Sequence, residues 1–118
     1  MSSEQARVYL KHVMDFNVVP IITWSSDGGI LSANDAFLKL IGYTREDLEA
    51  GKINWQALTS PAYLALDENC MRQLESAPIA DPYIKEYVRK DGSRIAIRLF
   101  NGRDESEPRQ GIAVIIRI

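Results

Sequence analysis

The chain has 118 residues, a net charge of −2 and a single cysteine. That length suits one domain around one core. The balance of charge gives no pull toward nucleic acid or an anionic membrane, and one cysteine excludes an internal disulfide. No apolar run approaches the roughly 20 residues of a membrane-spanning helix, and the N-terminus lacks a signal-peptide pattern. A soluble module in a reducing, cytoplasmic compartment is expected.

Residues 1–17 read as an amphipathic N-terminal helix and 18–118 as the domain proper. Ala6, Tyr9, Val13 and Phe16 recur at spacings of three and four, with Leu10 and Met14 widening the stripe. His12 sits on the polar side of this helix and is expected to bind neither metal nor haem. Val18 to Trp24 is the first strand, rich in β-branched residues. Its alternation puts Ile22 and Trp24 on one face, Ile21 and Thr23 on the other. Ser26-Asp27-Gly28-Gly29 is a hairpin turn, and Ile30 to Ala33 the second strand.

Two short helices follow. Asn34 caps the first, Phe37, Leu40 and Ile41 share one of its faces, and Gly42 stops it in a left-handed conformation. Thr44 caps the second, with Asp47 three residues on as the partner of a capping box, and Gly51 ends it. Beyond Ile53, Trp55 and Leu58, Ser60 caps a longer helix with Pro61 in its first turn. Tyr63, Leu66, Cys70 and Leu74 mark its apolar face, with Met71 beside them, and Pro78 closes it.

Three strands complete the chain. Tyr83 to Arg89 carries a charge on either face: Ile84 and Val88 share theirs with Glu86, Tyr83 and Tyr87 theirs with Lys85. Lys90-Asp91-Gly92-Ser93 is a second hairpin turn. Arg94 to Asn101 alternates, with Ile95, Ile97 and Leu99 opposite Arg94, Ala96, Arg98 and Phe100. A polar loop leads to Gly111–Ile118, a nearly all-apolar run that reads as a central strand covered on both faces. The sum is an α+β fold, a five-stranded antiparallel sheet with helices gathered on one face. No nucleophile elbow, zinc-protease motif or phosphate-binding glycine loop is present in the sequence, and no enzyme activity is expected of it.

The stretch from Pro20 through Leu48 resembles the PAS domain: strand, turn, strand ending at Asn34, a short helix with Phe37 finishing at Gly42-Tyr43, then Thr44-Arg45-Glu46-Asp47-Leu48. Tyr87-Val88-Arg89-Lys90-Asp91-Gly92-Ser93-Arg94 resembles the family's second recurring stretch, in the expected order. The resemblance implies a sensory or dimerisation module of a signalling protein, such as a two-component sensor histidine kinase or a cyclic-dinucleotide enzyme, joined to an output domain of the same chain. It also implies a homodimer contact on the N-terminal helix, through Ala6, Tyr9, Leu10, Val13 and Phe16. The bland reading, a helix packed on its own domain, stands beside it.

By the same resemblance the sheet curls around the short helices and encloses a pocket. The residues expected there are Ile22, Trp24, Phe37, Ile41, Trp55, Leu58 and Leu66, with Tyr87, Ile97, Leu99, Val114 and Ile116 from the sheet. Two readings stay open: these side chains line a site for a small apolar or aromatic ligand, or they fill the core. In the second, the work of an interaction module falls to the N-terminal helix and to an outer sheet face with Ala96, Phe100 and Ile115. The resemblance favours Tyr87 inward, which leaves Lys85 either with its stem on the core and its ammonium at the edge, or solvated.

The cofactor is unknown, with neither haem nor a covalent flavin expected. Asn69-Cys70-Met71-Arg72 is similar on its face to the flavin-adduct motif of light-oxygen-voltage domains, but here it lies on the long helix rather than just after the tandem pair. Haem-binding relatives carry a histidine on that long helix, and none stands between Tyr63 and Leu74. Chromophore-binding relatives carry a cysteine just before it, where Thr59 and Ser60 stand.

Overall fold

The computed structural model describes residues 2–107 and 109–118, and of residues 3, 6, 7, 10, 13 and 16 the backbone alone. The elements run α1 (Ser3–Phe16), β1 (Ile21–Ser25), β2 (Ile30–Ala33), α2 (Asp35–Ile41), α3 (Arg45–Glu49), α4 (Trp55–Leu58), a 3-10 turn (Pro61–Tyr63), α5 (Leu64–Ser76), β3 (Tyr83–Val88), β4 (Arg94–Arg103) and β5 (Gln110–Arg117). The strands form one antiparallel sheet in the order β2-β1-β5-β4-β3.

The local signals explain the starts and stops. Ser2 caps α1 in a capping box with Gln5. Asn34 does more than cap α2. Its Oδ1 accepts from the backbone N–H of both Phe37 and Ile21, and its Nδ2 donates to the Val19 carbonyl at 2.7 Å. One buried side chain thus fixes the helix start against the chain leading into β1. Gly42 ends α2 at φ +79°, where an L side chain would be strained. Thr44 and Asp47 form a complete capping box on α3. Ser60 makes no side-chain cap; the turn after it is 3-10, and α5 begins only at Leu64.

The core lies between the sheet and α2 to α5, around Phe37, Ile41, Tyr87, Ile97 and Ile115. On β3 the face with Tyr83, Lys85 and Tyr87 points inward. On β4 the inward set is Ile95, Ile97, Leu99 and Asn101. β5 is central, but its phase corrects the sequence reading. Gly111, Ala113 and Ile115 face the core, while Val114 is half-buried and Ile116 exposed on the other face. The reason is steric. A Cβ on Gly111 would stand 2.2 Å from the Trp24 ring, so the inner face of β5 is kept small to seat that indole. A run of apolar residues gives no alternation signal, and size misleads when the small side is the buried one.

Gly111→Ala is accordingly expected to destabilise the domain by about 1–3 kcal/mol through overpacking. The Gly102 carbonyl, 2.3 Å from the same Cβ position, blocks the other way out. A urea midpoint equal to wild type would show that Trp24 moves aside freely.

Candidate functional site: a polar cluster around an inner cavity

α5 turns toward the sheet through Asp67, Cys70 and Leu74, spaced three and four apart. Leu66, expected on that face, is exposed. The helix is rotated so that Asp67 meets Lys85 of β3, which periodicity of apolar residues alone could not reveal. The Lys85 Nζ lies 2.9 and 3.1 Å from the two Asp67 carboxylate oxygens and 2.8 Å from Thr59 Oγ1. The ammonium is therefore neither at an edge nor solvated. Tyr83 donates its hydroxyl to Asp67 at 2.7 Å, and Thr59 Oγ1 donates in turn to the Trp55 carbonyl at 2.8 Å.

A second chain of polar contacts runs alongside. Trp24 Nε1 donates to Asn101 Oδ1 at 2.9 Å, and Asn101 Nδ2 reaches Cys70 Sγ at 3.3 Å. Trp55 Nε1 donates to the Ser25 carbonyl. The Lys85 ammonium also sits 5.1 Å from the centre of the Tyr87 ring, which Phe37 meets edge-on.

Burial lowers the Lys85 pKa from the ordinary lysine value, and the Asp67 carboxylate opposes that shift. Burial raises the hydroxyl pKa values of Tyr83 and Tyr87, with the Asp67 charge adding to both. Burial likewise pushes the Cys70 thiol up, so it is a protonated, inert group rather than a nucleophile. Among the described residues, no group of histidine, cysteine and acidic side chains could hold a metal ion.

Asp67, Tyr83, Lys85, Tyr87, Asn101 and the two indoles line a cavity of about 20 Å3. Of the residues expected at a pocket, Ile22, Trp24, Trp55, Tyr87 and Leu99 line it. Phe37, Ile41, Leu58 and Ile97 are buried in the core without lining it. Leu66, Val114 and Ile116 lie away from it: the first sits on the outer side of α5, the other two on the alternate or opposite face of β5. Ile115, expected outside, is fully buried, whereas Ala96 and Phe100 are exposed. Asp67 and Asn101 escaped the sequence reading, and Lys85 was read without its partner. The signal that pointed to Asp67 was the Lys85 charge sharing a strand face with Tyr83 and Tyr87, which demands a buried counter-charge. On α1, Tyr9 is exposed; the side chains of Ala6, Leu10, Val13 and Phe16 lie outside the described residues.

A family model for the PAS domain matches residues 18–117. The chain belongs to the PAS domain family. Among curated proteins it is similar to the hybrid signal transduction protein dokA of Dictyostelium discoideum, 35% identical over 88 residues. That match takes in 75% of this chain and only 5% of the relative's length, so the module is a small part of that protein. Its fold is shared with a domain of the sensory box sensor histidine kinase/response regulator of Geobacter sulfurreducens. That match has TM-score 0.73 and 17% identity, and covers 95% of this chain and 93% of the other. It is shared equally with the LOV protein of Rhodobacter sphaeroides, at TM-score 0.75 and 16% identity, covering 100% of this chain and 69% of the other. As a PAS domain of the kind found in signalling proteins, the chain is a regulatory module and not itself catalytic. Among the described residues no helix is long and apolar enough to cross a membrane.

A second charged contact pins the PAS helices to the β3–β4 turn. Lys90 Nζ lies 2.8 Å from Asp47 Oδ2 and 5.6 Å from the centre of the Tyr43 ring. With the Lys90 bond first and the Thr44 backbone N–H second, the Asp47 carboxyl is held down from 3.8 to about 2. A carboxylate with a lowered folded pKa stabilises above its unfolded value, and that stabilisation is lost as pH falls through the folded one. Wild-type Tm is thus expected to drop between pH 3.8 and about 2, with a shallower slope in Asp47→Asn. Asp27 and Asp91, lowered by turn hydrogen bonds from Ser25 and Ser93, add to the same fall and leave a residual slope in the variant. Identical slopes in the two proteins would remove Asp47 from this account.

Proposed function

We propose that this PAS domain is the sensory and dimerisation module of a two-component-type signalling protein, with the inner cavity as its sensing chamber. The observation that carries the reading is the buried polar cluster. A core needed only for packing gains nothing from an ion pair, since apolar residues of similar volume are often as stable or more so. Here Lys85, Asp67, Tyr83 and Asn101 gather at one cavity among aromatic walls, with Thr59 holding the Lys85 ammonium from behind. That is the chemistry of a mostly apolar ligand site with a few polar fixtures. The change in occupancy would bias the sheet or the dimer packing and pass to an output domain of the same chain. The compartment in this reading is cytoplasmic. The ligand is small and held without a covalent bond or haem, because Cys70 is a buried thiol bonded to Asn101 and no histidine stands on α5.

One observation favours a second reading, a ligand-free dimerisation module. A cavity of about 20 Å3 holds one water and no organic molecule. Mass spectrometry of the purified protein under native and then denaturing conditions separates the two. A mass lost on denaturation supports the chamber; a bare dimer supports the second reading. In both, α1 is the self-association face, so Val13→Asp and Phe16→Asp are each expected to shift the dimer toward monomer in light scattering. A dimer indifferent to both substitutions would move the contact elsewhere.

A further inference from the structure

Met71 stands at a junction. It lines the inner cavity, an open groove of about 640 Å3 beside α4 and α5, and a cleft of about 400 Å3 at the far end of α5. It is the one residue common to all three. Trp55 and Asp67 are shared by cavity and groove, and Trp24 by cavity and cleft. The wall between the chamber and the groove is therefore Met71 with Trp55 and Asp67, and that toward the cleft Met71 with Trp24; of these the half-buried methionine is the one common to both. Methionine is unbranched, with three rotatable bonds and a polarizable sulfur that packs well on aromatic rings. It can seal such a gap and swing clear of it without moving backbone.

The chamber's unused bonding capacity narrows what would enter. Around the cavity both indole N–H groups, the Tyr83 hydroxyl, the Lys85 ammonium and the Asn101 amide all have partners. Tyr87 lines the same cavity and is 1% exposed, and none of the hydrogen bonds among the described residues involves its hydroxyl. A buried phenolic O–H ordinarily finds an acceptor.

Resting on the reading of the core as a ligand chamber, we propose that Met71 is its gate and that the ligand is a small aromatic molecule bearing one hydrogen-bond acceptor for the Tyr87 hydroxyl. With Met71 in place the cavity takes a water. With Met71 swung toward the groove, cavity and groove join into a slot walled by Trp24, Trp55 and Tyr87, which suits a single ring. A ring of benzene size needs on the order of 150 Å3, far beyond the closed cavity.

The probe is phenol, titrated into the folded protein while the two indole N–H signals of Trp24 and Trp55 are followed by NMR. A closed gate reduces apparent affinity by the fraction of time it is open. Met71→Ala is therefore expected to bind phenol roughly tenfold more tightly than wild type, or better, for a minor open state of 10% or less. Adding Tyr87→Phe to Met71→Ala is expected to weaken phenol by about 3- to 10-fold, one neutral hydrogen bond, and to leave toluene unchanged. Met71→Phe, which refills the gap with a ring, is expected to abolish the wild-type response and keeps the test alive if the alanine variant does not fold. Equal affinity in wild type and Met71→Ala overturns the gate while leaving the chamber reading standing. No shift of the Trp24 indole in either protein, up to the solubility of phenol, overturns both.

Discussion

Lys85→Met is expected to cost the domain about 3–5 kcal/mol, measured as a fall in the urea midpoint at unchanged slope. The side chains of Lys85 and Asp67 are 2% and 4% exposed, so solvent screens neither charge. Removing the ammonium leaves the carboxylate with the Tyr83 hydroxyl as its remaining side-chain partner among the described residues. Against a total stability of roughly 5–15 kcal/mol for a domain, that is a large share. The double variant Lys85→Met with Asp67→Leu is expected to recover most of the loss, because the penalty lies in the orphaned charge rather than in any large net value of the pair. If the single variant loses less than about 1 kcal/mol, well below the range for a broken buried pair, water reaches Asp67 and the cluster is not sealed.

Phe37→Ala belongs in the same range, about 3–5 kcal/mol, for a different reason. Phe37 is 0% exposed and meets the Tyr87 ring edge-on, with centroids 6.0 Å apart. Truncation removes buried apolar surface and leaves a void between α2 and the sheet. The neighbours Ile41 and Tyr87 are held by their own elements and cannot fully collapse into it. Phe37→Leu, which refills most of the volume, is expected to cost clearly less in the same urea experiment. A small loss for alanine would mean that α2 closes onto the sheet, which the Asn34 bonds to Ile21 and Val19 are placed to resist.

The boundaries of α2 and the start of α3 were the legible part of this fold, because they depend on single residues with one local job, whereas Ser60 made no cap and α5 began later than its sequence suggested. Asn34, Gly42 and Thr44 each did what a cap or a stop must do. Strand β4 was equally plain, since Ile95, Ile97 and Leu99 alternate with polar partners. The site was legible only in its apolar half. Trp24, Trp55 and Tyr87 could be placed from alternation and from the family resemblance, but Asp67 could not. A charged residue on a helix reads as solvent-facing until its counter-charge is known, and that lysine is distant in sequence. The same missing partner turned α5 the wrong way and put Leu66 inside. On β5 the misleading cue was volume: Val114 and Ile116 look like core, yet the room belongs to the Trp24 indole over Gly111.

The strand order has a kinetic consequence. β1, near the start of the chain, takes its neighbour from the far end: Ile21 pairs with Val114 and Trp24 with Gly111. Closing that seam joins residues roughly 90 positions apart, which carries a large loop entropy and slows folding. Until β5 is available, β1 and β2 form a two-stranded ribbon that is marginal in water on its own. On the ribosome, β1 therefore cannot gain its second neighbour until β5, roughly 90 residues later, has emerged, and its edge stays unpaired over that stretch of synthesis.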